Sequence, residues 1–423
     1  MRALACIAVL FYHFSLPQLT SNNLILKIIE ISRVYHFGQL GAAYFFSLSS
    51  FLLTYLACKE FYATGSFSMS YFFLRRILRI WPLYFLYVLV VVIALGSWSP
   101  FSTLPSEWEQ LLNIFPYILT FTTNIPLALA VFNGFDYQAS LIPTELVVLW
   151  SLAVEEQFYL IYPIIMLFMF RFKKSVPFVL ITLAVVIGLG FCSRLFYFYS
   201  DVIYQNFGGM YYSPFTYLEV FVFGGLAGWI VAKENTHFNK TNFNTIMNLL
   251  GGRVWGRIIG LCLFIVLIFV ALYSSGYDKE PYRIFNVFQY SILALVFAGL
   301  TLWILVNKQS IVSRILSSNI MQTLGVLSYG MYLWHILSLR IVNYFINSTL
   351  FVTSINENET LFSYTFFFSY FIVTFLLAAA SYQLFEKRFL NLKRPLVSGR
   401  CQPMASKSPL TPLFQSGEPD RRI

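Results

Sequence analysis

Charge is what this chain has least of. Only 11% of its 423 residues are Asp, Glu, Lys or Arg, against roughly 25% in a soluble globular chain. That scarcity excludes an ordinary soluble enzyme and a highly charged disordered protein. Cysteine is sparse too: Cys6, Cys58, Cys192, Cys262 and Cys401 are scattered, with neither metal-ligand spacing nor a disulfide framework. No metal site is therefore expected. Glycine-rich phosphate loops are missing, with no GxxxxGK[ST] and no GxGxxG in a soluble βαβ context. The apolar runs lack the period of two that barrel strands require. No small-x-small cleavage site follows the first apolar stretch, where His13, Ser15 and Pro17 stand, so that stretch reads as a retained helix and not a signal peptide.

What the chain has in abundance is apolar length. It is 58% hydrophobic, with a mean hydropathy of +0.70. Backbone exposed to lipid must satisfy its own hydrogen bonds, so long apolar runs from end to end define an all-α, polytopic transmembrane helical bundle. Candidate spans fall near 2–18, 37–58, 78–97, 149–170, 176–197, 214–232, 257–274, 284–306, 324–346 and 361–386, about ten in all. A further apolar segment, 111–132, is interrupted by Pro116, Asn124 and Pro126 and reads as a re-entrant or buried broken helix.

Charge placement orients the bundle. Lys59, Arg75, Arg76 and Arg79 precede the third span, Arg171, Lys173 and Lys174 follow the fourth, and Lys387, Arg388, Lys393 and Arg394 follow the last. Basic loops stay in the cytoplasm, which predicts both termini there. The net charge of +10 then reflects that bias and not nucleic-acid binding. Residues 1–395 form the membrane domain, and the Pro- and Ser-rich 396–423 stretch reads as a disordered cytoplasmic tail.

Against this background the polar residues inside the layer stand out. Arg2 and His13 are eleven residues apart in the first apolar segment, almost three helical turns, so they share a face about 16 Å apart along the axis. If Arg2 sits at one surface, His13 lies near mid-membrane, where a titratable ring reads as functional. Glu155, Glu156 and Gln157 follow Trp150-Ser-Leu just inside an apolar helix, and His335 ends Ser328-Tyr-Gly-Met-Tyr-Leu-Trp-His. Depth along their helices places Glu155 and His335 near the layer of His13. Arg75, Arg76 and Arg79 form a cluster on neighbouring helix positions. Guanidinium is permanently charged and bidentate, so the cluster suits phosphate groups of a cytoplasmic ligand. The same buried His and Glu also fit a rival reading, a proton-coupled transporter with a His/Glu relay. No two related halves are visible in its support.

At these residues the chain resembles the membrane acyltransferase 3 family, which O-acylates extracytoplasmic sugars in many bacteria. The matching stretches are Arg2 to His13, Phe45 to Thr54, Arg75-Arg76-Ile-Leu-Arg79-Ile-Trp-Pro82, Trp150 to Tyr159, Ser328 to His335 and Ser381 to Lys387, in the family's order. The resemblance implies a bacterial inner-membrane enzyme. It would move an acyl group, by family habit acetyl, from cytoplasmic acyl-CoA to a carbohydrate hydroxyl such as lipopolysaccharide O-antigen or exopolysaccharide. It implies that His13 is catalytic, with Glu155 and His335 beside it, as general base or as acyl carrier. It implies that Arg2 belongs to the motif of His13 and that Arg76 and Arg79 hold the donor; Arg2 and Arg75 are expected to bind the donor beside them. One departure concerns helix packing: the family's usual Leu-Ser-Gly-Phe reads Leu48-Ser49-Ser50-Phe51.

Overall fold

A computed structural model describes residues 1–14, 27, 31, 37–95, 105–130, 142–171, 176–204, 209–234, 251–252, 255–274, 282–348 and 359–398. Among them the chain is helical almost throughout and contains no strand. The helices are α1 (Arg2–His13), α2 (Phe37–Thr64), α3 (Met69–Leu95), α4 (Pro105–Leu119), α5 (Asn124–Leu129), α6 (Leu149–Arg171), α7 (Val176–Tyr204), α8 (Gly209–Tyr212) and α9 (Leu218–Glu234). They continue as α10 (Trp255–Ser274), α11 (Tyr282–Val306), α12 (Ile311–Leu316), α13 (Asn319–Ser348), α14 (Glu359–Ser381) and α15 (Lys387–Ser398).

Among the described residues, eight segments are long and apolar enough to cross a membrane, which makes this an integral multi-pass protein. The two other expected spans are also helical. One is α1, only 12 residues long and so about 18 Å, short against an apolar layer of roughly 30 Å. The other is α13, which has the length but carries Gln322, His335, Arg340 and Asn343. Both owe their place to protein around them: α1 packs between α2 and α13, α14 packs on α13, and α9 lies along α2 with α11 behind it. A polar helix in a membrane is stable only where its polar groups face protein.

The segment expected to be interrupted is indeed broken. Helix α4 ends at Leu119, Phe121 takes a left-handed φ of 53°, and α5 runs for six residues. Other boundaries moved. Helix α3 starts at Met69, well before the expected 78, so all three arginines ride on the helix instead of its leading loop. Helix α7 continues to Tyr204, through much of the expected 198–213 loop. The last helix passes Pro395 to reach Ser398, and the tail beyond it lies outside the described residues.

The missing family glycine is answered from the neighbouring helix. A Cβ on Gly224 would overlap the Ser47 backbone, and one on Gly228 would overlap the Phe51 carbonyl. This small-xxx-small spacing lets α9 approach the α2 backbone directly. The Ser50 hydroxyl, where the family has glycine, donates to the Phe221 carbonyl across the same seam.

Candidate active site

The two histidines meet. Their rings lie 4.9 Å apart between centroids, tilted by 60°, brought together by the packing of α1 on α13. His13 Nδ1 is 3.0 Å from the Val9 carbonyl, and His335 Nδ1 is 2.5 Å from the Tyr332 carbonyl. A carbonyl oxygen only accepts, so each Nδ1 carries a proton, and in the neutral ring each Nε2 keeps the lone pair. His335 is fully buried, and its Nε2 has no hydrogen-bond partner among the described residues. His13 is partly exposed.

At the other end of α1 lies a cavity of about 80 Å³, lined among others by Arg2, Arg76, Arg79, Glu155, Tyr159 and Tyr332. Arg76 is 5% exposed, its guanidinium 5.7 Å from the centre of the Tyr159 ring. The Tyr159 hydroxyl donates to Glu155 Oε2 at 3.2 Å and lies 2.5 Å from Ser49 Oγ. Three guanidinium groups thus line a space with the single carboxylate of Glu155 among its walls. Arg76 Nε is buried without a hydrogen-bond partner among the described residues. An orphaned buried donor in a cationic wall fits a multivalent anion.

The sequence expectations therefore divide. His13 and His335 are brought into contact; Arg2, Arg76 and Arg79 share one cavity. Glu155 is not level with the histidines as expected but faces Arg2, Tyr159 and Ser49 at the arginine end. The reason is geometric: it lies two turns into α6, while the Tyr332 hydroxyl, one turn before His335, reaches 3.3 Å from the Val148 carbonyl at that helix's start. Arg75 points elsewhere and pairs with Glu60 at 2.8 Å; it is not among the residues that line the cavity. Tyr332 joins the two regions. Its ring centroid is 5.7 Å from that of His335, and its hydroxyl lies 2.6 Å from Ser151 Oγ in the cavity wall.

Some contributors escaped the sequence reading. Gln157 Nε2 donates to Asn124 Oδ1 at 2.7 Å and to the Phe121 carbonyl at 3.1 Å, so the acidic motif itself pins the break between α4 and α5. Glu145 pairs with Arg340 at 2.7 Å, tying the entrance of α6 to the His335 helix. Trp334 Nε1 donates to Ser381 Oγ at 3.1 Å, which in turn donates to Glu386 Oε1 at 3.4 Å. Arg194 pairs with Glu219 at 2.9 Å, with both side chains fully buried. Glu145, Arg340, Glu386, Arg194, Glu219 and Gln157 are ionisable or amide groups in or beside apolar runs, the signal that singles out His13.

A helical membrane bundle with paired histidines over an arginine-lined cavity is the architecture of an integral membrane enzyme. The chain belongs to the acyltransferase family whose model, described as an acyltransferase domain, matches residues 1–383. It is similar to the peptidoglycan O-acetyltransferase OatA of Listeria monocytogenes serovar 1/2a, with 27% identity over 342 residues, 79% of this chain and 48% of that protein. It is similar as well to the O-acetyltransferase OatA of Staphylococcus aureus strain NCTC 8325 / PS 47, 24% identical over 340 residues, 79% of this chain and 49% of the relative. The chain thus spans about half the length of these relatives. No solved structure matches it significantly.

Proposed function

We propose that this chain is a membrane O-acetyltransferase that takes an acetyl group from acetyl-CoA on the cytoplasmic side and places it on a hydroxyl of a cell-wall glycan outside. The observation that carries this reading is the linkage of two sites along one short helix. The His13–His335 pair sits at one end of α1, and the cavity of Arg2, Arg76 and Arg79 at the other. Eleven residues, about 16 Å, separate them, a span suited to a donor whose phosphates and reactive thioester lie at opposite ends of an extended arm.

In this reading Arg2, Arg76 and Arg79 bind the donor's phosphates through charge-assisted hydrogen bonds. Glu155 with Tyr159 keeps the guanidinium groups oriented without neutralising them. His13 Nε2, on the partly exposed ring, accepts the proton of the acceptor hydroxyl as its oxygen attacks the thioester carbonyl. The C–O bond forms, the C–S bond breaks, and the thiolate leaves with the proton returned by His13. His335 is the positioning partner, holding the His13 ring from the buried side. Arg75, paired to Glu60, lies outside this machinery.

The test uses the full chain in proteoliposomes with acetyl-CoA inside and peptidoglycan fragments outside, reading free thiol and acetylated sugar. Thiol release that depends on the acceptor supports the reading. Lipopolysaccharide or exopolysaccharide as the better acceptor would move the substrate within the same class. Proton-coupled solute uptake with no thiol release would assign the rival transport function instead.

A further inference from the structure

Beside the histidine pair lies an aromatic cluster that the mechanism above does not use. Tyr12 precedes His13, and the two rings meet edge to face at 5.0 Å. Tyr211 and Tyr212, on the short helix α8, lie 5.1 Å apart and close enough to Tyr12 to interact electrostatically with it. Tyr211 is likewise within reach of Tyr332, whose ring adjoins His335. Trp150 backs the pair, 4.5 Å from Tyr211 and 5.5 Å from Tyr212. Trp150 is itself buried, but Tyr12, Tyr211 and Tyr212 are only partly covered.

The cluster is held in place by the same residues that pin the break between α4 and α5, and by Tyr217. Asn124 Nδ2, at the start of α5, donates to the Tyr212 carbonyl at 3.3 Å. Tyr217 donates to the Tyr211 carbonyl at 2.8 Å. Asn124 is in turn fixed by Gln157, so the broken helix and the acidic motif together set where these rings stand. Neither the Tyr211 nor the Tyr212 hydroxyl makes a hydrogen bond among the described residues.

We infer that Tyr12, Tyr211 and Tyr212, backed by Trp150, form the acceptor subsite and bind a pyranose ring of the glycan by stacking. The inference rests on the proposed function and names the residues that would hold its acceptor. A pyranose has C–H bonds on its faces and hydroxyls around its rim. Tyrosine matches both, with an apolar face and a polar edge. The Tyr12 ring of the cluster lies against the partly exposed His13, so that a hydroxyl of a sugar stacked on the cluster would meet Nε2. A charged ligand would call for paired cations, and these gather instead at the other end of α1.

The test is binding without any donor, so that it stands or falls apart from turnover. The solubilised full chain is mixed with the N-acetylglucosamine–N-acetylmuramic acid disaccharide and read by saturation-transfer NMR. The expected result is transfer to the ring C–H protons in the wild type. Affinity should be at least tenfold weaker in Tyr211→Leu or Tyr212→Leu and restored in Tyr212→Phe, which keeps the stacking face. Absence of transfer in the wild type overturns the inference even if the leucine variants fail to fold. Undiminished binding in folded leucine variants also overturns it, as does failure of phenylalanine to rescue. Saturable binding of a straight-chain lipid analogue in place of the disaccharide would reassign the cluster to lipid.

Discussion

Two buried arginines in this bundle have opposite surroundings. Arg194, fully buried, spends every nitrogen: Nε donates to the Val287 carbonyl at 2.6 Å and Nη1 to the Thr216 carbonyl at 3.3 Å. Its Nη2 donates to Glu219 Oε1 and to Ser291 Oγ, both at 2.9 Å. Arg76 is nearly as buried, yet its Nε is orphaned and its neighbours around the cavity include two more arginines. A buried charge with all its bonds made within the protein is structure, because breaking it leaves an uncompensated ion. A buried cation left underpaired among other cations is what a binding site for an anion requires, and that is the role proposed for Arg76.

The difference can be broken or sharpened by substitution. The largest effect is expected for Glu219→Ala, which strands Arg194 in an apolar layer and lowers stability by about 3–5 kcal/mol. It should be read as a lower unfolding midpoint in detergent, with loss of expression at the extreme. If its stability matches wild type, the contrast between the two arginines fails. Next comes Arg79→Ala, expected to raise the KM for acetyl-CoA roughly ten- to hundredfold, the worth of one charge-assisted hydrogen bond of about 1.5–3 kcal/mol. Its unfolding midpoint should not fall, since a repelling charge has been removed. An unchanged donor KM would count against phosphate binding there. The smallest effect is expected for Arg75→Ala, which loses the pair with Glu60 at the bundle edge. That change should lower stability by under about 1 kcal/mol and alter the donor KM less than threefold. A donor effect as large as that of Arg79→Ala would return Arg75 to the binding site.

The sequence revealed what depends on distance along one helix. The face shared by Arg2 and His13, the Arg76 and Arg79 neighbours, the break at Pro116 to Pro126 and the apolar spans all follow from a fixed rise per residue and from lipid's intolerance of unpaired backbone. What it hid depends on which helices touch. The contact of His13 with His335 joins opposite ends of the chain. The level of Glu155 was misjudged because depth was counted from a helix end whose height in the bundle depends on its neighbours. Arg75 looked equivalent to Arg76 until the turn between α2 and α3 brought Glu60 to it. Arg194 and Glu219 were legible as polar residues within apolar runs and went unread; their pairing was not legible, since it requires α7 to lie beside α9. The helix approach expected of a glycine on α2 is achieved by Gly224 and Gly228 on the opposite helix, a substitution of partners that the α2 stretch does not reveal on its own.

The central claim is that the histidine pair performs acyl transfer with a donor anchored at the far end of α1. It is tested most directly by comparing acceptor-dependent thiol release from acetyl-CoA in wild type and His13→Ala. Both proteins should be inserted and folded alike, with donor affinity measured separately on each. Release in the variant should fall to the uncatalysed background while acetyl-CoA still binds within about threefold of wild type, since the site proposed for its phosphates is at the arginines and not at the ring. Thiol release from His13→Ala at the wild-type rate would contradict it.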